Sequence, residues 1–151
     1  MIEERLAELG LELPPSPSPI ASYLPVRISG NVAFVSGQVP LIDGEPLHPG
    51  KLGDGVSVEQ GAEAARRCAL QALSALRAAL GTLDRVVGII SVSVFIASAA
   101  GFTEQSKVAN GASDLLVEVF GDAGRHARAA VGVAELPLGA SVEVAVIAEI
   151  A

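Results

Sequence analysis

Two charged side chains stand out in the apolar C-terminal stretch of the sequence. Residues 126 to 150 read HARAAVGVAELPLGASVEVAVIAEI, with Arg128 near the start and Glu143 in the second half. Charges are rarely placed in apolar strands without a partner, because burying an unpaired charge is costly. A guanidinium can hold a carboxylate through two hydrogen bonds, and a carboxylate can activate a water or move a proton. The pair indicates a site for a small carboxylate-bearing molecule, although an interfacial ion pair or two unrelated rim charges would give the same pattern.

The alternation of side chains predicts where these two residues point. Strands are expected over about 126–134 and 141–150, and alternate residues of a strand lie on opposite faces of the sheet. The apolar faces, expected to lie against helices, are Ala127, Ala129, Val131 and Val133 in the first strand and Val142, Val144, Val146, Ala148 and Ile150 in the second. Arg128, with His126 beside it, and Glu143 then share the uncovered face. A simple hairpin would separate the Cα atoms of Arg128 and Glu143 by roughly 14 Å, and two side chains leaning inward would then leave a gap of small-molecule size.

The remaining elements give an α+β fold. A short helix over 2–9 and a Pro-rich linker form an N-terminal region, 1–18, before a single domain, 19–151. Ser57 with Gln60 forms a capping-box pattern that begins a long helix ending at Gly81, and a second helix is expected over about 103–120. Further strands are predicted over 25–29, 32–39 and 85–97, with a surface loop over 43–55. The order ββαβαββ predicts a mixed sheet with both helices on one face, and a neighbouring subunit is the natural cover for the other.

Composition limits the kinds of partner. Ten basic against seventeen acidic residues give a net charge of −7, which argues against a phosphate-tracking surface and therefore against nucleic acid. The most apolar stretch, 86–98, is too short to span a bilayer, so no membrane partner is expected. A single cysteine, Cys68, fits a reducing, cytoplasmic compartment. The mean hydropathy of +0.51 is high for a lone small domain and favours apolar surface buried between subunits.

The C-terminal stretch resembles the signature of the RidA/YjgF family, the reactive-intermediate imine deaminases, in a divergent branch often labelled endoribonuclease L-PSP. Arg128, Leu136-Pro137 and Val142-Glu143-Val144 match that signature without a gap. The segment 35–41, VSGQVPL, and the segment 19–23, PIASY, are similar to two earlier family segments, so the resemblance covers about 19–150.

The resemblance implies a chorismate-mutase-like fold and a homotrimer with clefts between its subunits. It also implies hydrolysis of enamine or imine intermediates, such as 2-aminoacrylate, to a 2-keto acid and ammonia, without a metal or cofactor. In that scheme Arg128 binds the substrate carboxylate, and Glu143 activates water. Tyr23, Ser36 and the Gly37 backbone would line the pocket.

Three departures from the family pattern leave the activity open. His126 stands where Pro is frequent, Ala130 where Cys is frequent, and Ser106 where an Asn of the second helix is common. A trimer that binds a small molecule without turnover is therefore an alternative, and an RNA-cleaving or translation-inhibiting protein is a weaker one.

Other candidate residues favour structural roles. His126 could contact a ligand but is more typical of a solvated rim, and His48 lies in a Gly/Pro loop. Cys68 is expected to be a buried, inert thiol. Gly111 interrupts a helix, which favours a close contact between that helix and the sheet over a ligand site.

Overall fold

The computed structural model describes residues 1–16 and 21–151, which form an α+β structure. The helices are α1 (Ile2–Glu8), α2 (Val58–Leu80) and α3 (Gln105–Phe120). The strands are β1 (Val26–Ser29), β2 (Val32–Gln38), β3 (Leu41–Ile42), β4 (Glu45–Pro46), β5 (Lys51–Leu52), β6 (Gly55–Val56), β7 (Val86–Ala97), β8 (Ala127–Val133) and β9 (Val142–Ile150).

Five strands form one mixed sheet in the order β1-β2-β9-β7-β8. All neighbours run antiparallel except β7 and β8, which are parallel and are joined by α3. The pairs β3-β4 and β5-β6 are small separate ladders in the connection before α2.

Both long helices pack on one face of the sheet. Ser57 caps α2 by accepting a hydrogen bond from the Gln60 backbone N–H, and Gly81 ends the helix in the left-handed conformation with φ of 85°. The core between helices and sheet is built from aliphatic side chains, and alternate residues of β9 and β7 are buried in it. Leu6 of α1 is buried in the same core.

The opposite face of the sheet is open. Phe34, Ile147, Phe95 and Val131 lie on it, and about 45% of the Phe34 surface and 46% of the Val131 surface are exposed. We call the set Arg27, Ser29, Val32, Phe34, Ser91, Ser93, Phe95, Ala127, Ala129, Val131, Glu143, Ala145, Ile147 and Glu149 the open face. It is largely apolar, as a surface that another protein surface covers would be.

The predicted element order, the mixed sheet and the shared helix face are confirmed. The expected loop 43–55 carries the short strands β4 and β5 and the start of β6. The boundary between the N-terminal region 1–18 and the domain 19–151 lies outside the described residues, as do Pro19 and Ile20 of the family-like segment.

The last two strands, β8 and β9, do not form a simple hairpin. The central strand β7 lies between β8 and β9, with Val92 beside Arg128 on one side and Val146 on the other. Residues in register across neighbouring strands share a face, and Val92 and Val146 are buried under the helices. Arg128 therefore points to the helix face. The prediction that it lies on the uncovered face is wrong.

Candidate functional site

Glu143 lies in a cavity at the end of the sheet where β2 and β9 meet. The cavity has a volume of about 690 Å³. It is lined by Tyr23, Pro25, Ser36, Gly37, Gln38, Val39, Leu41, Gln71, Pro137, Leu138 and Glu143. Most of this wall is apolar, and Glu143 is its one carboxylate. The structure thus brings together four of the predicted site residues: Tyr23, Ser36, Gly37 and Glu143.

A bulge in β2 makes room for the Glu143 side chain. The pairing of β2 with β9 shifts between Val35 and Gln38, so Ser36 and Gly37 leave the regular ladder. A methyl group at Gly37 would lie within 2.9 Å of the Glu143 carboxyl carbon. Because only glycine leaves this space empty, the Gly37 backbone forms the wall against which the carboxylate rests. Ser36 closes the same bulge, since its hydroxyl donates a 2.6 Å hydrogen bond to the Leu24 carbonyl.

Desolvation raises the pKa of the Glu143 carboxyl above its usual value. Partial burial disfavours the charged form, and no cation among the described residues is close enough to offset it. A carboxylate with a raised pKa accepts protons more readily near neutral pH, which suits general acid–base chemistry. Perturbed carboxyls of this kind cluster at functional sites.

Two glutamines, not identified from the sequence, form the buried floor of the cavity. Gln71 of α2 donates a 2.7 Å hydrogen bond to the Val39 carbonyl and accepts a 2.8 Å hydrogen bond from the Leu41 backbone N–H. Gln38 donates a 3.0 Å hydrogen bond to the Ser36 carbonyl and accepts a 3.4 Å hydrogen bond from the Gln71 side chain. These bonds tie the bulge to α2 and so fix the Glu143 pocket. In the sequence, the feature that could have identified this floor is Gln71, a polar residue three positions after Cys68 on the apolar side of a helix.

Arg128 belongs to a different cluster, at the edge of the sheet under α3. Its Nη1 donates to Asn110 Oδ1 at 2.9 Å and to Ser113 Oγ at 3.1 Å, and its Nη2 donates to the Ser106 carbonyl at 3.4 Å. His126 joins the cluster, because its Nε2 lies 2.9 Å from Ser113 Oγ. His126 and Arg128 share a face as predicted, but that face is the helix face. Asn110 and Ser113 were not predicted as site residues.

Within one chain, Arg128 and Glu143 do not form a common site. Across β7 they lie opposite Val92 and Phe95, on different strands and opposite faces of the sheet. The register separates their Cα atoms by roughly 14 Å, and the sheet lies between their side chains. The expectation that both project from the open face holds for Glu143 and is wrong for Arg128. The error arose because both alternating sets of β8 are small or apolar, so hydrophobicity does not mark the buried side.

Cys68 and Gly111 have structural roles. The Cys68 side chain is fully buried, and desolvation raises the pKa of its thiol, with a further contribution from Glu143. A methyl group at Gly111 would collide with the Ala62 backbone, so the glycine lets α3 approach α2; the close contact is with this helix and not, as predicted, with the sheet. Among the described residues, no helix has the length and hydropathy needed to cross a membrane.

Comparison with known proteins identifies the family. The family model described as "YjgF/chorismate mutase-like, putative endoribonuclease" matches residues 3–150. Protein TCP17 of Trypanosoma cruzi is 49% identical over 150 residues, covering 99% of this chain and 94% of that protein. The chain belongs to the YjgF/chorismate mutase-like family.

Solved structures agree with this assignment. Protein Atu1372 of Agrobacterium tumefaciens, whose function is unknown, is 46% identical with a TM-score of 0.89, over 99% of this chain and 91% of that one. TdcF of Escherichia coli, solved with bound serine, is 26% identical with a TM-score of 0.62, over 90% and 94% of the two chains. The predicted family and its fold are thus confirmed.

Proposed function

We propose that the protein hydrolyses imine and enamine intermediates of the 2-aminoacrylate type to 2-keto acids and ammonia, in clefts between the subunits of a homotrimer. The observation that carries the proposal is the Glu143 carboxylate, which rests on the Gly37 backbone in a largely apolar cavity with its pKa raised. TdcF, a member of the same fold family, has been solved with bound serine, an amino acid from whose dehydration an enamine of this kind could arise.

The reaction needs one acid–base group and a fixed substrate. An enamine first takes a proton on carbon to become the protonated imine. The Glu143 carboxylate removes a proton from a water as the water oxygen bonds to the imine carbon, which gives a tetrahedral carbinolamine. The carboxyl then gives this proton to nitrogen, and the carboxylate takes the hydroxyl proton as the C–N bond breaks, so that ammonia leaves and a C=O group remains. Orientation and proton transfer are enough for this step, because an imine is already electrophilic.

The substrate carboxylate is assigned to Arg128 of a neighbouring subunit. The cavity around Glu143 contains no cationic residue among the residues that line it. Arg128 lies on β8, an edge strand of the sheet, and its side chain is exposed. An edge position lets a guanidinium reach a second chain, and a guanidinium can hold a carboxylate through two parallel hydrogen bonds.

Imine hydrolysis can be measured directly. An amino-acid oxidase generates imino acids from a panel of amino acids, and the decay of each imine is followed with wild type, Arg128→Ala and Arg125→Ala. Arg125 is the matched control, since its exposed side chain pairs locally with Asp122. We expect acceleration by wild type and by Arg125→Ala, and a loss of at least about 100-fold in kcat/KM for Arg128→Ala, on the scale of a charge-assisted bidentate contact.

Inactivity of the wild type over the whole panel would contradict the proposal. A ligand that raised the melting temperature without being consumed would then favour a trimer that binds a small molecule. Equal activity of Arg128→Ala and wild type would remove the arginine from the mechanism.

A further inference from the structure

One side of the Arg128 guanidinium donates hydrogen bonds to α3, and the other side has no hydrogen-bond partner among the described residues. Both hydrogens of Nη1 are used, one by Asn110 Oδ1 at 2.9 Å and one by Ser113 Oγ at 3.1 Å. One hydrogen of Nη2 points to the Ser106 carbonyl. A guanidinium has five N–H groups in a rigid plane, so Nε–H and one Nη2 hydrogen have no partner among the described residues. On the Nε side of a guanidinium, Nε–H and the neighbouring Nη2 hydrogen lie side by side, in the arrangement that takes a carboxylate with two hydrogen bonds.

His126 determines the direction of the Ser113 hydroxyl. The His126 Nδ1 lies 2.6 Å from the Gly124 carbonyl oxygen, which can only accept, so Nδ1 carries a hydrogen. In the neutral imidazole Nε2 is then an acceptor, and the Ser113 hydroxyl donates to it at 2.9 Å. Ser113 Oγ is left as an acceptor toward Arg128. The hydrogen bonds therefore run from Arg128 to Ser113, from Ser113 to His126, and from His126 to Gly124.

Asn110 and Ser113, which accept the hydrogen bonds of Arg128, lie on a rigid part of α3. Asn110 and Ser113 flank Gly111, where α3 comes so close to α2 that a methyl group would meet the Ala62 backbone. Val108, Ala109 and Ala112 of the same turns are fully buried. Because α3 cannot shift without disturbing this contact, the two side chains present fixed acceptors to the arginine.

We infer that Asn110, Ser113 and His126 are positioning residues that hold Arg128 with its Nε/Nη2 edge presented to the carboxylate of a 2-keto or 2-imino acid. This inference rests on the proposed function, since it assigns Arg128 to the substrate carboxylate. Without Asn110 and Ser113 the long side chain would sample several rotamers, and each binding event would have to order it again.

The test is a binding titration with pyruvate by isothermal titration calorimetry for every variant, with the ¹H–¹⁵N signal of Arg128 Nε followed as well in ¹⁵N-arginine-labelled proteins that keep this arginine. The signal is assigned by its loss in Arg128→Lys. The variants are Asn110→Ala/Ser113→Ala, Ser113→Thr and Arg128→Ala, with methyl pyruvate as a control ligand that lacks the carboxylate. Melting curves and sedimentation check that each variant keeps the fold and assembly of wild type.

We expect the Kd for pyruvate to rise about tenfold in the double variant, as the loss of two supporting hydrogen bonds would give. Ser113→Thr, which keeps the hydroxyl, should bind within about twofold of wild type, and methyl pyruvate should bind all proteins alike. In turnover, the double variant should raise KM for the imine and leave kcat within about twofold, a separation that a general loss of structure would not give.

The outcomes separate the two proposals. If pyruvate binding needs Arg128 and the double variant binds as tightly as wild type, the positioning inference is overturned and the proposed function stands. If Arg128→Ala binds pyruvate as well as wild type does, or wild type does not bind it, both the inference and the assigned role of Arg128 are overturned. Equal losses for pyruvate and methyl pyruvate would also overturn the inference, because the effect would not act through the carboxylate.

Discussion

At the residue scale, the defining feature is a carboxylate that the protein keeps partly dehydrated. Glu143 stands among apolar residues in β9, and burial alone raises its pKa. A partly buried carboxylate that stabilises a fold has a cation or hydrogen-bond donors beside it. Glu143 instead rests against Gly37 at the wall of an open cavity, which is how a group that exchanges protons with a ligand would be placed.

The dehydration of Glu143 predicts a stability difference that depends on pH. The folded-state pKa is raised, so the ionised form costs free energy of unfolding at neutral pH, and this cost disappears below the pKa of the unfolded chain. Glu143→Gln should therefore be slightly more stable than wild type at pH 7.5, by less than about 1 kcal/mol because the group is partly solvated. The gain should shrink as pH falls through the raised folded-state pKa and should be nearly absent below about 4.5, the region of an ordinary glutamate.

Urea unfolding at both pH values measures this difference. Glu149→Gln is the matched control, since Glu149 lies on the same face of the same strand but is exposed. A gain for Glu143→Gln that is the same at pH 7.5 and pH 4 would contradict the desolvation account.

At the element scale, the helices and strands were largely predictable and their arrangement was not. The capping box at Ser57 and Gln60 and the stop at Gly81 mark α2 in the sequence, and the structure places its ends there. The Glu143 half of the site followed from the strict alternation in β9. The place of β8 did not, because its parallel pairing with β7 depends on the path of α3 over the sheet and on long-range contacts. With small residues on both of its faces, β8 carries no signal for the side that Arg128 takes.

The approach of α3 to α2 predicts a contrast between two helical glycines. At Gly111 a methyl group would meet the Ala62 backbone, which cannot rotate away, so Gly111→Ala should cost about 2 kcal/mol or more of unfolding free energy. At Gly61 the nearest atoms are side-chain methyl carbons, Leu52 Cδ1 at 2.9 Å and Val108 Cγ1 at 3.1 Å, which can shift more readily than a backbone can. Gly61→Ala should stay within about 1 kcal/mol of wild type, because alanine gains about 1 kcal/mol of helix propensity.

Chemical denaturation of Gly61→Ala, Gly111→Ala and wild type measures the change in unfolding free energy for each variant. Equal costs at Gly61 and Gly111 would show that the helix contact at Ala62 is less rigid than the structure implies.

At the scale of the whole molecule, one face of the sheet lacks a cover within the described part of the chain. The open face is mostly apolar, and the chain has a high mean hydropathy of +0.51 despite its net charge of −7. The proposed trimer would bury this face. It would also supply Arg128 to a cleft that, within one chain, lacks it.

The trimer predicts that a charge on the open face separates the subunits. Phe34→Glu would place a carboxylate in the proposed interface, where it would be buried without a sufficient partner. In a monomer the same glutamate would lie in water beside Arg27, its neighbour across β1, so the fold should survive. In sedimentation velocity we expect wild type at three times 15.3 kDa and the variant at 15.3 kDa. Ile42→Glu, an exposed apolar residue of β3 outside the open face, should remain a trimer, and a monomeric wild type would contradict the proposal.

The last prediction follows from the separation of Arg128 and Glu143 by the sheet. If each cleft takes the arginine from one chain and the glutamate from the next, two inactive variants can complement each other. Co-refolding Arg128→Ala with Glu143→Ala in equal amounts should restore about one quarter of wild-type activity, because that share of clefts receives both native residues in a closed ring of random composition. Mixing Arg128→Ala with the double variant is the control and should restore nothing, because no chain then carries the arginine. Hybrid trimers that form, as seen with two different tags, but stay inactive would mean that the two residues do not meet across subunits.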